Sequence, residues 1–131
     1  IENIIPNLTM SIKKGKTFNV FGGNYQTKDG TCYRDYIHID DLIDAHLSGL
    51  KYLNKRIYEV VNIGTGKCYS VKELISTFSK ILNYDVPYKI VGRREGDIPV
   101  CYASVKKSKK FLKWRTKKNI FTMCRDIIKV I

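Results

Sequence analysis

The stretch Thr31-Cys32-Tyr33-Arg34-Asp35-Tyr36-Ile37-His38-Ile39-Asp40-Asp41-Leu42 changes periodicity partway through. Its first half carries Tyr33, Tyr36, Ile37 and Ile39, residues that favour an extended strand, and it passes into an amphipathic segment headed by two aspartates. A strand that feeds a helix sets Arg34 beside a helix N-terminus. A guanidinium can grip an oxyanion with two parallel hydrogen bonds, and helix N-termini favour anions for the same electrostatic reason, so the spot suits a phosphate. The same residues also allow a structural ion pair of Arg34 with Asp35, Asp40 or Asp41. A second arginine group far downstream, Arg93-Arg94-Glu95-Gly96-Asp97, tips the choice toward the anion site.

Upstream of this stretch, Ile4, Ile5, Leu8 and Ile12 recur at helical spacing over residues 1–14, with Gly15 as a stop. Phe18-Asn19-Val20-Phe21 reads as a short strand closed by Gly22-Gly23, and residues 24–31, with the turn signal Asp29-Gly30, as an exposed loop. Downstream, the helix that begins at the aspartates would bury Ile39, Leu42, Ile43, Leu47, Leu50 and Leu53, its acidic first turn suiting the positive end of the helix dipole. Residues 57–63 read as a strand ending in Gly64-Thr65-Gly66. A G-x-G after a strand invites a dinucleotide-loop reading, but the third glycine position of the full fingerprint is Tyr69, which favours a tight strand-to-helix connection. Ser70 and Glu73 form a capping box for a helix striped by Val71, Leu74, Ile75, Phe78, Ile81 and Leu82. A short strand follows Pro87, then a polar loop over residues 93–100. A basic helix capped by Ser104 would run to Trp114, and a last helix carries Ile120, Phe121, Cys124, Ile127, Ile128 and Ile131. Strands alternating with helices make the fold class α/β or mixed.

The chain has 131 residues, enough for one modest domain with a core, and no apolar run approaches the length of a membrane span. The first residues show no initiating Met, basic leader or small-residue cleavage site, so the chain is expected to be a piece of something longer. Of the net charge of +12, a surplus of +9 falls in residues 103–131, where ten Lys and Arg face one acid, Asp126. Such clusters suit a polyanion, but Lys106-Lys107 and Lys109-Lys110 leave Val105, Ser108, Phe111 and Leu112 on another face, which favours the solvated side of an amphipathic helix and neither nucleic acid nor membrane. The four cysteines are scattered, with no C-x-x-C and only two His, so a reduced cytoplasmic protein without a zinc site is expected.

Taken in order, Val20-Phe21-Gly22, Tyr25, Thr27, Asp29-Gly30-Thr31, Arg34-Asp35-Tyr36-Ile37-His38, Asp41-Leu42, Asn62-Ile63-Gly64, Ser70-Val71, Arg93-Arg94-Glu95-Gly96-Asp97, Leu112 and Trp114 resemble the C-terminal portion of the UDP-glucose (UDP-galactose) 4-epimerase family, extended short-chain dehydrogenase/reductases. The resemblance covers essentially the whole chain. It implies an extended Rossmann-type α/β protein: residues 1–131 are the C-terminal UDP-sugar-binding portion of a longer chain, and the N-terminal NAD-binding Rossmann domain is absent. One strand and helix of this portion, within residues 57–82, would complete that Rossmann domain. No glycine fingerprint follows a first strand, and no Tyr-x-x-x-Lys pair occurs in the family's context, so no residue here is expected to be catalytic and the chain alone is expected to be inactive.

The family oxidises the sugar at C4 with NAD, lets the 4-keto sugar rotate about the pyrophosphate linkage and returns the hydride to the other face. Firm binding of the UDP end retains the intermediate meanwhile. By resemblance, Arg34 and Arg94 clamp the pyrophosphate, Asp97 accepts from ribose hydroxyls, and Asn19, Val20 and Phe21 line the uracil. Asn3 and Ile4 pass over the diphosphate and sugar. Cys101 stands where family members carry either a bulky tyrosine or a smaller residue facing the sugar C2 substituent, which implies that UDP-GlcNAc and UDP-GalNAc are accepted beside UDP-glucose and UDP-galactose. The family's dimer is built by upstream helices, so the whole protein is expected to be a homodimer. Competing readings are a UDP-sugar decarboxylase or nucleotide-sugar dehydratase of the same superfamily, and a non-catalytic UDP-sugar-binding fragment.

Overall fold

Phe18 and Val20 alternate inward along the first strand, β1 (Phe18–Phe21), while Asn19 and Phe21 face out, the pattern of a strand with one buried face. A computed structural model describes residues 3–53, 55 and 58–131. Before β1 lies α1 (Ile4–Lys13), capped by the Asn3 side chain, which accepts from the Ile5 N–H, and followed by Gly15 at φ +59°, the left-handed stop expected of it. β1 pairs in parallel with β4 (Tyr88–Val91), in the register Phe18 to Tyr88 and Phe21 to Val91.

The second sheet is built on β2 (Tyr33–Arg34), which is antiparallel to β3 (Tyr69–Ser70) and parallel to β5 (Val100–Cys101). Leu8, Phe18, Val20, Val71, Leu74, Ile75, Phe78, Val86, Met123 and Cys124 form one core, joining α1 and β1 to α3 (Val71–Leu82) and α4 (Ile120–Ile128). Leu8, Leu74 and Phe78 are fully buried, each contributing on the order of 1.5–3 kcal/mol. The capping box forms as read: Ser70 accepts from the Glu73 N–H, and the Glu73 carboxylate accepts from the Ser70 N–H at 2.7 Å.

Four expectations give way. The helix α2 (Ile39–Leu50), capped by His38 Nδ1, turns its apolar stripe outward: Ile39, Ile43, Leu47, Leu50 and Leu53 are half or more exposed, and Asp41 and Ala45 face in. The reason is polar, because the Asp41 carboxylate accepts from the backbone N–H groups of Lys117 and Lys118 and so pins that side of the helix inward. Residues 58–63 form no strand, and Tyr58 and Val60 lie exposed; no neighbouring strand pairs with them among the described residues, and the expected first position, Ile57, lies outside those residues. The loop 24–31 is not simply exposed, since Tyr25 and Thr31 are buried. Finally, the basic helix shrinks to two helical residues, 106–107, leading into a π-turn, Ser108–Leu112, closed by Lys113 in the left-handed region and by the Trp114 N–H donating to the Ser108 carbonyl. Its lysines do face solvent, while Ser108 and Trp114 turn inward and Phe111 stacks on Tyr52.

Candidate functional site

Strand β1, one side of α1 and the arginine of β2 enclose a cleft of about 480 Å³. Ile4, Asn7 and Met10 come from α1, and Asn19, Val20 and Phe21 from β1. Arg34 enters from β2, and Arg94 and Asp97 from the loop after β4. Of the residues expected from the sequence, Ile4, Asn19, Val20, Phe21, Arg34, Arg94 and Asp97 therefore meet at one place. Asn3 and Cys101 do not line the cleft: Asn3 caps α1, and Cys101, exposed, pairs in register with Arg34 across β2 and β5.

Arg34 does not pair with Asp35, Asp40 or Asp41. Its Nη2 donates to Asp97 Oδ1 at 3.1 Å, and its Nη1 donates to the carbonyls of Tyr33 at 2.9 Å and Ile98 at 2.8 Å. Arg94 Nη2 reaches the same Asp97 oxygen at 3.1 Å, and its guanidinium lies 5.8 Å from the centre of the Phe21 ring. The three aspartates near Arg34 serve elsewhere. Asp40 and Asp44 pair with Lys118 and Lys117, and Asp41 holds the backbone of that segment. Asp35 accepts from the Thr65 and Gly66 N–H groups, the Thr65 hydroxyl and the Ala103 N–H. A β-carbon on Gly64 would lie 2.5 Å from Ala103 and 2.6 Å from the Asp35 carboxylate, so the glycine is required by close approach.

Gly64-Thr65-Gly66 consequently does not fit a dinucleotide. Its N–H groups, which would cradle a pyrophosphate, are spent on Asp35. Two features of the site escaped the sequence reading. Tyr36 and Cys32 also line the cleft, and the buried Tyr36 hydroxyl has no hydrogen-bond partner among the described residues; burial pushes its phenol well above the ordinary range, against the pull of Arg34. Arg93, grouped with Arg94 in the sequence, faces away, donating from Nε to the Asn24 side chain at 2.8 Å and stacking over Tyr25 at 4.3 Å. Nothing in the spacing of Arg93-Arg94 says which of the two turns to the cleft.

Residues 1–64 match the NAD dependent epimerase/dehydratase family. The UDP-glucose 4-epimerase of Bacillus subtilis is 41% identical over 127 residues, 95% of this chain and 38% of that protein. The chain resembles the UDP-glucose 4-epimerases over nearly its whole length. The crystal structure of the UDP-glucose 4-epimerase of Stenotrophomonas maltophila with bound NAD and formylated UDP-arabinopyranose superposes with a TM-score of 0.90 at 37% identity, covering 98% of this chain and 39% of that one. The UDP-Glc/GlcNAc 4-epimerase of Campylobacter jejuni superposes with a TM-score of 0.83 at 32% identity, covering 98% and 41%. The fold is thus the mixed α/β of Rossmann-type epimerases, and the chain spans less than two fifths of the length of the curated relatives it matches. No helix among the described residues is long and apolar enough to cross a membrane.

Proposed function

We propose that this chain is the UDP-sugar-binding portion of a UDP-glucose 4-epimerase, which interconverts UDP-glucose and UDP-galactose through a 4-keto intermediate. The observation that carries the reading is the convergence of Arg34 and Arg94, from segments 60 residues apart, on a cleft floored by β1. Two guanidinium groups match the charge and the geometry of a diphosphate. Asn19, Val20 and Phe21 offer an edge of backbone and an aromatic ring for a flat base beside it. This portion's share of the reaction is binding: it fixes the nucleotide end while the sugar turns. NAD supplies hydride acceptance and return when bound, and residues outside these 131 hold it, in an N-terminal domain against which the exposed stripe of α2 packs. The whole protein is a homodimer of the cytoplasm on this reading, in keeping with four cysteines that form no disulfide.

The full-length polypeptide, given NAD and UDP-galactose, is expected to yield UDP-glucose. UDP binding without inversion at C4 would move a decarboxylase or dehydratase ahead, and no UDP binding at all would end the nucleotide-sugar reading. The acceptance of UDP-GlcNAc and UDP-GalNAc rests on the small side chain of Cys101, on the strand beside Arg34. Cys101→Tyr should abolish turnover of the N-acetyl sugars and spare UDP-galactose; equal loss of both would sink that assignment.

A further inference from the structure

Hydrogen bonding between β1 and β4 ends where the Gly22 N–H donates to the Val91 carbonyl at 3.0 Å. Past that rung both chains leave the carboxyl ends of parallel strands as loops, the place where α/β sheets gather their ligands. Among the described residues no backbone hydrogen bond joins residues 23–30 to residues 92–97. Arg93 bridges the gap. Its Nε donates to the Asn24 side-chain oxygen at 2.8 Å, its Nη2 donates to the Asn24 carbonyl at 2.5 Å, and its guanidinium lies 4.3 Å from the centre of the buried Tyr25 ring. Gly22 makes room for this arrangement: at φ +76°, a β-carbon there would lie 2.3 Å from Tyr25 Cε2 and 3.0 Å from Arg93 Cγ. Neither Arg93 nor Asn24 lines the cleft, yet both adjoin residues that do. Phe21 stands one residue before Gly22, and Arg94 one residue after Arg93, with Asp97 three further on.

We propose that Arg93 is a positioning residue: it clasps the loop after β4 to the loop after β1 and thereby sets Arg94 and Asp97 opposite Phe21 for the nucleotide end of the ligand. The inference rests on the UDP-sugar reading of the cleft. Arg93 and Arg94 leave opposite sides of their loop, so fixing the first fixes the backbone from which the second reaches the cleft. The clasp acts on that backbone and adds to the contacts that the Arg94 side chain makes itself. It needs a planar fork, because an ammonium in the same place is a point charge that cannot hold both Asn24 oxygens and also stack on Tyr25. Groups that must converge on one ligand are sensitive to displacements of about 1 Å, so loosening the loop costs more affinity than the exposed clasp costs stability.

The full-length polypeptide, its Arg93→Lys and Asn24→Ala variants and the double variant are compared by titration calorimetry with UDP and by urea denaturation. Positioning predicts that Arg93→Lys, which keeps the charge and loses the fork, weakens UDP about tenfold, and that Asn24→Ala weakens it about threefold. The double variant should lie within about twofold of Arg93→Lys alone, since both changes break one clasp, and the urea midpoints should stay at the wild-type value. Three results overturn the proposal. UDP affinity in Arg93→Lys within about twofold of wild type would show that the fork does nothing there. Losses that multiply in the double variant would show that Arg93 acts on UDP by a route that does not pass through Asn24. A midpoint that falls together with the affinity would show a merely structural role. Should Arg93→Lys not fold, Asn24→Ala carries the test, and wild-type affinity in that variant overturns the proposal. Failure of the wild-type protein to bind UDP is a separate outcome, ending the nucleotide-sugar reading and this inference with it.

Discussion

Asp35 adjoins Arg34 in the chain, yet the two side chains belong to different structures. The Asp35 carboxylate gathers three backbone N–H groups and one hydroxyl from the segments around Thr65 and Ala103, joining the end of β2 to the turn before β3 and the residues after β5. Asp35→Ala would leave those part-buried donors without an acceptor, at a cost of on the order of 3 kcal/mol; a urea denaturation midpoint unchanged from wild type would refute this account. Asp29 is a second such anchor. Burial alone would push its carboxyl up, but hydrogen bonds from Ser70 and Thr31, with Lys72 nearby, outweigh it and hold the carboxyl below its ordinary value. A depressed folded pKa contributes stability that is present above the unfolded value, about 3.9, and is lost as pH falls through the folded one. The urea midpoint should therefore be lower at pH 3 than at pH 6, and Asp29→Asn should narrow that difference. Asp40 and Asp126, also held low by lysines, would retain part of it.

At the scale of elements, legibility followed local chemistry. The capping box at Ser70 and Glu73, the Asn3-capped α1, and the strands around Val20 and Ile90 were all readable, because each is fixed by residues within a few positions of one another. So was the convergence of Arg34, Arg94 and Asp97, although through family resemblance rather than spacing. The inward side of α2 was not readable: its stripe of Ile and Leu has helical periodicity, but periodicity shows that a face seeks a partner, not where the partner is. The buried Asp41, bonded to backbone more than 70 residues away, decided the orientation instead. The π-turn was hidden for a similar reason, since the Tyr52 hydroxyl that donates to the Phe111 carbonyl at 2.6 Å is remote in sequence. Ile43→Lys with Leu47→Lys should leave the unfolding free energy of the 131-residue chain, measured by urea denaturation, within about 0.5 kcal/mol of wild type, the usual range for exposed positions. In the full-length polypeptide the same pair should destabilise markedly. Equal, large effects in both would show that the stripe is buried within this chain.

Across the whole molecule, the core gathered by α1, β1, α3 and α4 coexists with exposed apolar side chains along α2 and at Tyr58 and Val60. Soluble monomers rarely leave so extended an apolar area open. The 131-residue chain should therefore melt several degrees below the full-length polypeptide by circular dichroism; a cooperative transition at equal or higher temperature would contradict the packing proposed for α2.

The link between Arg34 and Asp97 spans 63 positions of sequence, whereas Arg94 joins the same atom from three residues before it. Contacts of such long range close late in folding, after the shorter loops between them have formed. The proposed anion site therefore belongs to the folded chain alone. A ligand that binds there can slow unfolding and protect the molecule from proteases, but it has nothing to hold on the unfolded chain and so cannot hasten folding. Added nucleotide should consequently lengthen the lifetime of the native protein while leaving its rate of refolding unchanged.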